Sequence, residues 1–270
     1  MEESFYTLVS GQRRGIGPSL LRGLLRVASV PYGWGAGVRN RLFDWGWKPS
    51  ERVAVPVVSV GNLTLGGTGK TPCVEYVCRF YRDLDLRVAI LSRGYGAEHG
   101  RNDEALVLEE NLPDVPHLQG ADRVALARTA LEELESEVLV LDDGFQHRRL
   151  ARDLDVVLVD ATEPWGLGYL FPRGLLRESP RSLRRAGVVM LTRCDQVPEE
   201  TRARLRQQVS RLAPQAPLVE TRHGPVELVG SGAQTESLAP LSARPVAAFC
   251  GIGNPDAFRR TLTDLGTTVC

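Results

Sequence analysis

Lys70 is one of only two lysines among the 33 basic residues of this 270-residue chain, which otherwise uses arginine. It stands in the run Gly61-Asn62-Leu63-Thr64-Leu65-Gly66-Gly67-Thr68-Gly69-Lys70-Thr71-Pro72, directly after the apolar residues 57–60. An apolar strand, a glycine-rich turn and Gly-Lys-Thr opening a helix form the context of a phosphate-binding P-loop. Glycines let consecutive backbone N–H groups wrap phosphate oxygens, and the helix N-terminus adds favourable partial charge. The loop predicts phosphate contacts from Thr64, Leu65, Gly66, Gly67, Thr68 and Gly69, with Lys70 on the β- and γ-phosphates and the Thr71 hydroxyl on Mg²⁺. One departure is visible: Thr64 stands where G-x-x-x-x-G-K-T has its first glycine.

A nucleotide with Mg²⁺ needs carboxylates at a neighbouring strand end. Residues 138–141 are apolar and end in Asp142-Asp143, the pattern of a Walker B element. One aspartate would hold the metal and the other orient a nucleophile or lysine. A solvated acidic turn is the alternative for this piece alone. Asp160, after apolar residues 156–159, reads as a turn or cap residue. Thr192-Arg193-Cys194-Asp195, after residues 188–191, shares one of three specified positions with N-K-x-D and reads as a strand-end turn bordering the base.

These residues need a frame that collects strand ends. Short β-branched runs recur at 57–60, 88–91, 138–141, 156–159, 188–191 and 246–249, with helix-like stretches between several of them, one spanning 122–137. Continuous apolar strands alternating with helices predict an α/β fold: a mainly parallel sheet flanked by helices, with ligands at the carboxyl ends of its strands. The stretch 214–245, rich in Pro, Gly, Ser and Thr, reads as a linker or hairpin before a second, small α/β domain.

The first fifty residues differ. Seven basic residues against Glu2, Glu3 and Asp44 give them +7 − 3 = +4 in a chain with 33 positive and 33 negative side chains. Leu20, Leu21, Leu24 and Leu25 share a helical face, and three of the four tryptophans fall at 34, 45 and 47. Such a helix suits a membrane interface, or packs its leucines and aromatics into its own core. The zero net charge argues against coating nucleic acid. Five cysteines without a CxxC pair argue against a zinc ribbon and suit a reducing compartment. The acidic opening MEES lacks the order of a secretory signal, and no apolar run reaches bilayer length.

Taken together, the loop 59–72, Leu91-Ser92-Arg93-Gly94-Tyr95-Gly96, Asp103-Glu104, Asp122-Arg123, the element Asp142-Asp143-Gly144-Phe145-Gln146-His147, the run 171–178 and Phe249-Cys250-Gly251-Ile252-Gly253-Asn254-Pro255 resemble the tetraacyldisaccharide 4′-kinases over nearly the whole chain. Thr64 in the loop is that family's habit. The resemblance implies a P-loop NTPase-like fold and transfer of the γ-phosphate of ATP, with Mg²⁺, to the 4′-hydroxyl of an acylated glucosamine disaccharide 1-phosphate in lipid A biosynthesis. It implies Asp103 as base, Glu104 and Asp142 around Mg²⁺ with Asp143 beside them, and Arg123 on phosphate or substrate. His147 is expected to orient the Asp142–Asp143 turn through a hydrogen bond. The implied domains are a membrane- and substrate-docking segment (1–50), a kinase core (51–215), a linker (216–244) and a second domain (245–270). The implied partners are the lipid substrate and the cytoplasmic face of the inner membrane, where the protein sits peripherally, with no nucleic acid and no obligate protein partner. Family members continue into a D-H-H-x-Y-like segment whose histidine assists the aspartate. The sequence stops at Cys270 without it, so the second domain is expected to be incomplete. A P-loop GTPase switch at a membrane and a nucleotide-binding module without full activity are the competing readings.

Overall fold

The computed structural model describes residues 2–94, 103–222, 224–231, 234–243, 245–251 and 255–270, with the backbone alone at 2, 3, 103, 104, 243 and 255–257. The chain divides into two units, Met1–Thr221 and Arg222–Cys270. The first opens with helices α1 (Glu2–Val9) and α2 (Ile16–Asp44). It continues as β1 (Val57–Asn62), α3 (Lys70–Arg82), β2 (Val88–Ser92), α4 (Asp103–Asn111), β3 (His117–Gln119), α5 (Arg123–Glu132), β4 (Val138–Asp142), β5 (Leu154–Asp160), β6 (Val188–Thr192), α6 (Glu199–Leu212) and β7 (Leu218–Glu220).

The seven strands form one sheet in the order β3-β2-β4-β1-β5-β6-β7, and every neighbouring pair is parallel. This is the doubly wound arrangement the apolar runs predict. Residues of β1, β2 and β4 are buried throughout, as strands covered on both faces must be. One core lies where Cys73, Val74 and Cys78 of α3 and Leu108 of α4 meet β1, β2 and β4. Another gathers Val124, Ala127 and Ala130 of α5 against the same strands, and a third packs Leu205 and Val209 of α6 beside β5 and β6. Burial lifts the Cys73 and Cys78 thiols to about 12, so both behave as inert apolar side chains.

The chain skips a place after β1. The α3 crossover carries it to β2, and β4 later fills the gap between them while β5 joins the other side of β1. The P-loop strand thereby lies at the centre, with Val60 opposite Asp142 across the ladder. Its carboxyl end is the topological switch where α/β sheets bind ligands.

One local expectation is corrected. The helix expected over 122–137 ends at Glu132, because Asp122 caps its start through the Val124 and Ala125 amides and Glu135 adopts a left-handed φ of 47°. Of the two readings of the N-terminal leucines, core packing is not what is seen: Leu20, Leu24 and Val27 of α2 and all three nearby tryptophans are exposed. No helix among the described residues is long and apolar enough to cross a membrane.

The second unit contains β8 (Leu228–Val229) paired antiparallel with β9 (Thr235–Glu236), and β10 (Pro245–Val246) paired parallel with β11 (Thr268–Val269) around α7 (Pro255–Asp264). The strand expected over 246–249 is thus short. Phe249 is almost fully exposed, so this stretch lacks the covering layer a longer buried strand needs.

Candidate active site

The loop between β1 and α3 is braced from three directions. Gly69, with φ of 84°, is the N-cap of α3, and no side chain caps the helix. Its first-turn amides are therefore left for an anion. The loop's entry pairs with residues 175–177: the Leu65 amide donates to the Leu175 carbonyl and the Arg177 amide to the Leu63 carbonyl, both at 2.7 Å. Inside the loop, Asn62 Nδ2 donates to Thr68 Oγ1 at 2.8 Å.

The third brace comes from the end of β6. Thr192 Oγ1 donates to the Thr68 carbonyl at 3.0 Å, and Arg193 Nη2 donates to the Gly67 carbonyl at 2.8 Å. Arg193 is itself held by Asp160. The two ends of a trans peptide point oppositely, so pulling these carbonyls toward β6 turns the amides of Thr68 and Gly69 toward the loop interior. The 192–195 turn therefore shapes the phosphate cradle, where the sequence suggested a base contact. Asp160 has the expected turn role, accepting from the Thr162 amide and hydroxyl.

Lys70 begins α3, and its side chain is only 10% exposed. Its ion-pair partner among the described residues is Asp143, at 4.0 Å. Asp143 sits just past β4 in a left-handed conformation, φ 52°. Its two carboxylate oxygens accept from Arg177 Nη1 at 2.8 and 2.6 Å. Gln146 closes the cluster, with Oε1 3.4 Å from Arg177 Nη1 and Nε2 donating to the Asn62 carbonyl at 2.8 Å. Asp142 ends β4, buried, one residue before this cluster. Thr71 lies in the first turn of α3 beside Lys70. The close approach of β1 to the 144–147 turn requires glycine at 61: a Cβ there would lie 2.7 Å from Phe145 Cβ and 2.8 Å from its amide nitrogen.

A cavity of about 900 Å³ opens beside these residues. Its walls include Tyr32 and Arg39 of α2, Leu65 of the loop, and Arg93, Arg123, Asp143 and Arg177. Four guanidiniums thus face one carboxylate, which suits an anionic ligand. Arg123, the first residue of α5, is 5% exposed, and its Nε has no hydrogen-bond partner among the described residues. Burial, reinforced by the like charge of Arg93, lowers its pKa. A buried guanidinium in that state is stabilised by any anion that reaches it.

His147 differs from expectation. Its backbone amide, donating to the Gly144 carbonyl at 2.8 Å, stabilises the turn, while its ring Nε2 is buried without a partner among the described residues. Burial, then the nearby Arg123, Arg152 and Arg149, holds the imidazole down to about 4, so it is neutral at physiological pH. Asp103 and Glu104 begin α4, and their side chains lie outside the described residues. Among the described residues no three His, Cys, Asp or Glu side chains cluster as a metal cage. Mg²⁺ takes one or two protein ligands and completes its shell with phosphates and water. Asp142 and the Thr71 hydroxyl are hard oxygen donors of that kind.

Sequence reasoning assigned no role to Arg177, Gln146 or Tyr32; it placed Thr192 in a turn bordering the base, and Arg39 among arginines meeting anionic headgroups, whereas Arg39 pairs with Glu178. Arg177 and Gln146 lie in runs that carried the resemblance, which was the available signal. Tyr32 gave none, because its partner, the Arg177 carbonyl, is 145 residues away.

A sequence profile of the LpxK family, tetraacyldisaccharide-1-P 4′-kinase, matches residues 21–270. A tetraacyldisaccharide 4′-kinase of Anaeromyxobacter dehalogenans (strain 2CP-C) is 44% identical over 263 residues, 91% of this chain and 69% of that protein. The one from Syntrophus aciditrophicus (strain SB) is 38% identical, covering 96% and 75%. Among solved structures, the "apo" form of LpxK from Aquifex aeolicus in complex with ATP superposes with a TM-score of 0.75 at 32% identity, covering 92% of this chain and 80% of that one.

Proposed function

This chain belongs to the tetraacyldisaccharide-1-P 4′-kinase family, and from that premise we propose how its own residues carry the reaction. The protein is a lipid A kinase, transferring the γ-phosphate of ATP to the 4′-hydroxyl of a tetraacyldisaccharide 1-phosphate. The GTPase reading is not favoured, since the turn that suggested it holds the P-loop instead.

The amides of residues 64–69 and the Lys70 ammonium bind the phosphates of ATP, and Lys70 stabilises charge on the transferred group. Thr71 and Asp142 hold Mg²⁺, with Glu104 as a further acid near it; the metal supplies neutralisation of phosphate charge. Asp103 accepts the proton of the sugar hydroxyl. Asp143 positions Lys70 and Arg177. Arg123, buried and lacking an acceptor at Nε, meets a phosphate oxygen. The observation that carries this reading is the cavity beside the Gly-Lys-Thr loop, with four arginines against one carboxylate. Its size and charge suit a phosphorylated sugar delivered next to the nucleotide. The test is transfer of labelled γ-phosphate to the tetraacylated disaccharide 1-phosphate by the chain and by its Lys70→Ala and Asp103→Ala variants. Transfer that persists undiminished in both variants overturns the assignment.

The lipid substrate calls for a docking face. Leu20, Leu24, Val27 and Trp34 of α2 are exposed by 66–73%, beside Arg22, Arg26 and Arg41. We propose that this face rests on the cytoplasmic leaflet of the inner membrane, leucines and tryptophan at the acyl boundary and arginines at anionic headgroups. Leu24→Ser with Trp34→Ser should abolish sedimentation with vesicles, and unchanged sedimentation refutes the docking face.

A further inference from the structure

Tyr32, Gly35, Ala36 and Arg39 of α2 line the catalytic cavity, but Gly33, Gly37, Arg41 and Asp44 line a second one of about 360 Å³ on another face of the same helix. Its opposite wall is the 3₁₀ turn Pro180–Arg185, bringing Arg181, Ser182, Arg184 and Arg185. The charge balance is lopsided. Four guanidiniums line the groove against one carboxylate, Asp44.

That carboxylate is already shared: Arg148 and Arg184 each reach it at 2.8 Å. Arg185 is engaged by the buried Glu178 at 3.0 Å. Arg41 and Arg181 are exposed, and neither has an ion-pair partner among the described residues. The groove therefore presents two uncommitted guanidiniums above a floor whose acid is saturated. It has room for one phosphate-bearing headgroup and is too small for a nucleic-acid track. Trp34, 73% exposed, forms part of the lining, and the same helix displays Leu20, Leu24 and Val27. A ligand seated here has its charged end among arginines and an apolar surface alongside.

We propose that this groove is a binding site for the headgroup phosphate of an anionic phospholipid, separate from the substrate cavity, with Arg41 and Arg181 as its principal ligands and Arg184 as support. The proposal rests on the docking reading above and adds a lipid-specific contact to it. A headgroup held here fixes the rotation of α2 on the surface, and with it the direction in which the substrate cavity faces.

The experiment is co-sedimentation of the full chain with phosphatidylcholine vesicles and with vesicles that also contain phosphatidylglycerol. Arg41→Gln with Arg181→Gln should leave phosphatidylcholine binding in place and remove most of the gain from phosphatidylglycerol, about fivefold for each arginine. Arg204→Gln with Arg211→Gln, on the exposed side of α6, removes the same charge elsewhere and should leave the gain intact. Equal losses in the two double variants mean diffuse electrostatics and overturn the site. So does soluble glycerol phosphate binding as tightly as the vesicle, which points to a free phosphate ligand. A gain insensitive to Arg41 and Arg181 sinks this proposal while docking stands; absence of binding to every vesicle sinks the docking reading itself.

Discussion

Glu178 gives the sharpest test of how α2 is held over the active site. Its carboxylate, 2% exposed, accepts from Arg39 Nη2 at 3.1 Å, Asn40 Nδ2 at 2.8 Å and Arg185 Nη2 at 3.0 Å. Two of these donors belong to α2, and Glu178 directly follows the segment that braces the P-loop. In Glu178→Leu the Arg185 guanidinium, 12% exposed, loses its one carboxylate partner among the described residues. Stranding a buried charge in this way costs about 3–5 kcal/mol. Arg39 is 39% exposed, so water screens most of its share. The Asn40 bond adds about 1 kcal/mol. A total of about 4–6 kcal/mol, at about 2–4 °C per kcal/mol for a unit of this size, lowers Tm by roughly 8–24 °C. Thermal melting by circular dichroism measures it. Adding Arg185→Leu should restore most of the loss, since no charge then remains stranded. A drop of only a degree or two in the single variant, or a double variant as unstable as the single, refutes the reasoning.

Thr192→Val keeps the shape but leaves the Thr68 carbonyl without its donor, a loss of about 1 kcal/mol that loosens the cradle. The ATP KM should rise about fivefold with kcat less affected, read from steady-state kinetics. Gly61→Ala forces a Cβ to within 2.7 Å of Phe145 and should destabilise the core by about 1–3 kcal/mol in urea unfolding. His147 carries the opposite sign from a paired histidine. Its folded pKa, about 4, lies below the ordinary 6.5, so the unfolded chain binds the proton more readily. Its contribution is complete above pH 6.5 and is lost as pH falls toward 4, so His147→Gln should flatten the stability–pH slope in that window. A slope unchanged in denaturant titrations at both ends of the window contradicts the burial argument.

What could be read in advance was local. A strand, a glycine turn and Gly-Lys-Thr lie within about fifteen consecutive residues, and buried parallel strands announce themselves as unbroken apolar runs. Asp142 followed from its strand. The Arg177–Asp143 pair spans 34 residues and the Arg39–Glu178 pair 139, and no periodicity encodes such partners. The same holds for Thr192 and Arg193 bracing the loop 124 and 126 residues away. The N-terminal helix left two readings open for another reason. A stripe of leucines looks alike whether a core or a bilayer receives it, and only the folded chain shows that Leu20, Leu24 and Val27 stay out of the core.

The position of β1 also sets a timetable for the nascent chain. It is the first strand of its sheet in chain order, yet its neighbours β4 and β5 end at Asp142 and Asp160. Roughly 80 residues separate the end of β1 from the first of them, about 4–16 s of translation at ordinary ribosomal speeds. Throughout that interval the phosphate loop hangs from an unpaired apolar strand. Nucleotide therefore has no site to stabilise until the second half of this unit has emerged, and ATP cannot protect β1 before then.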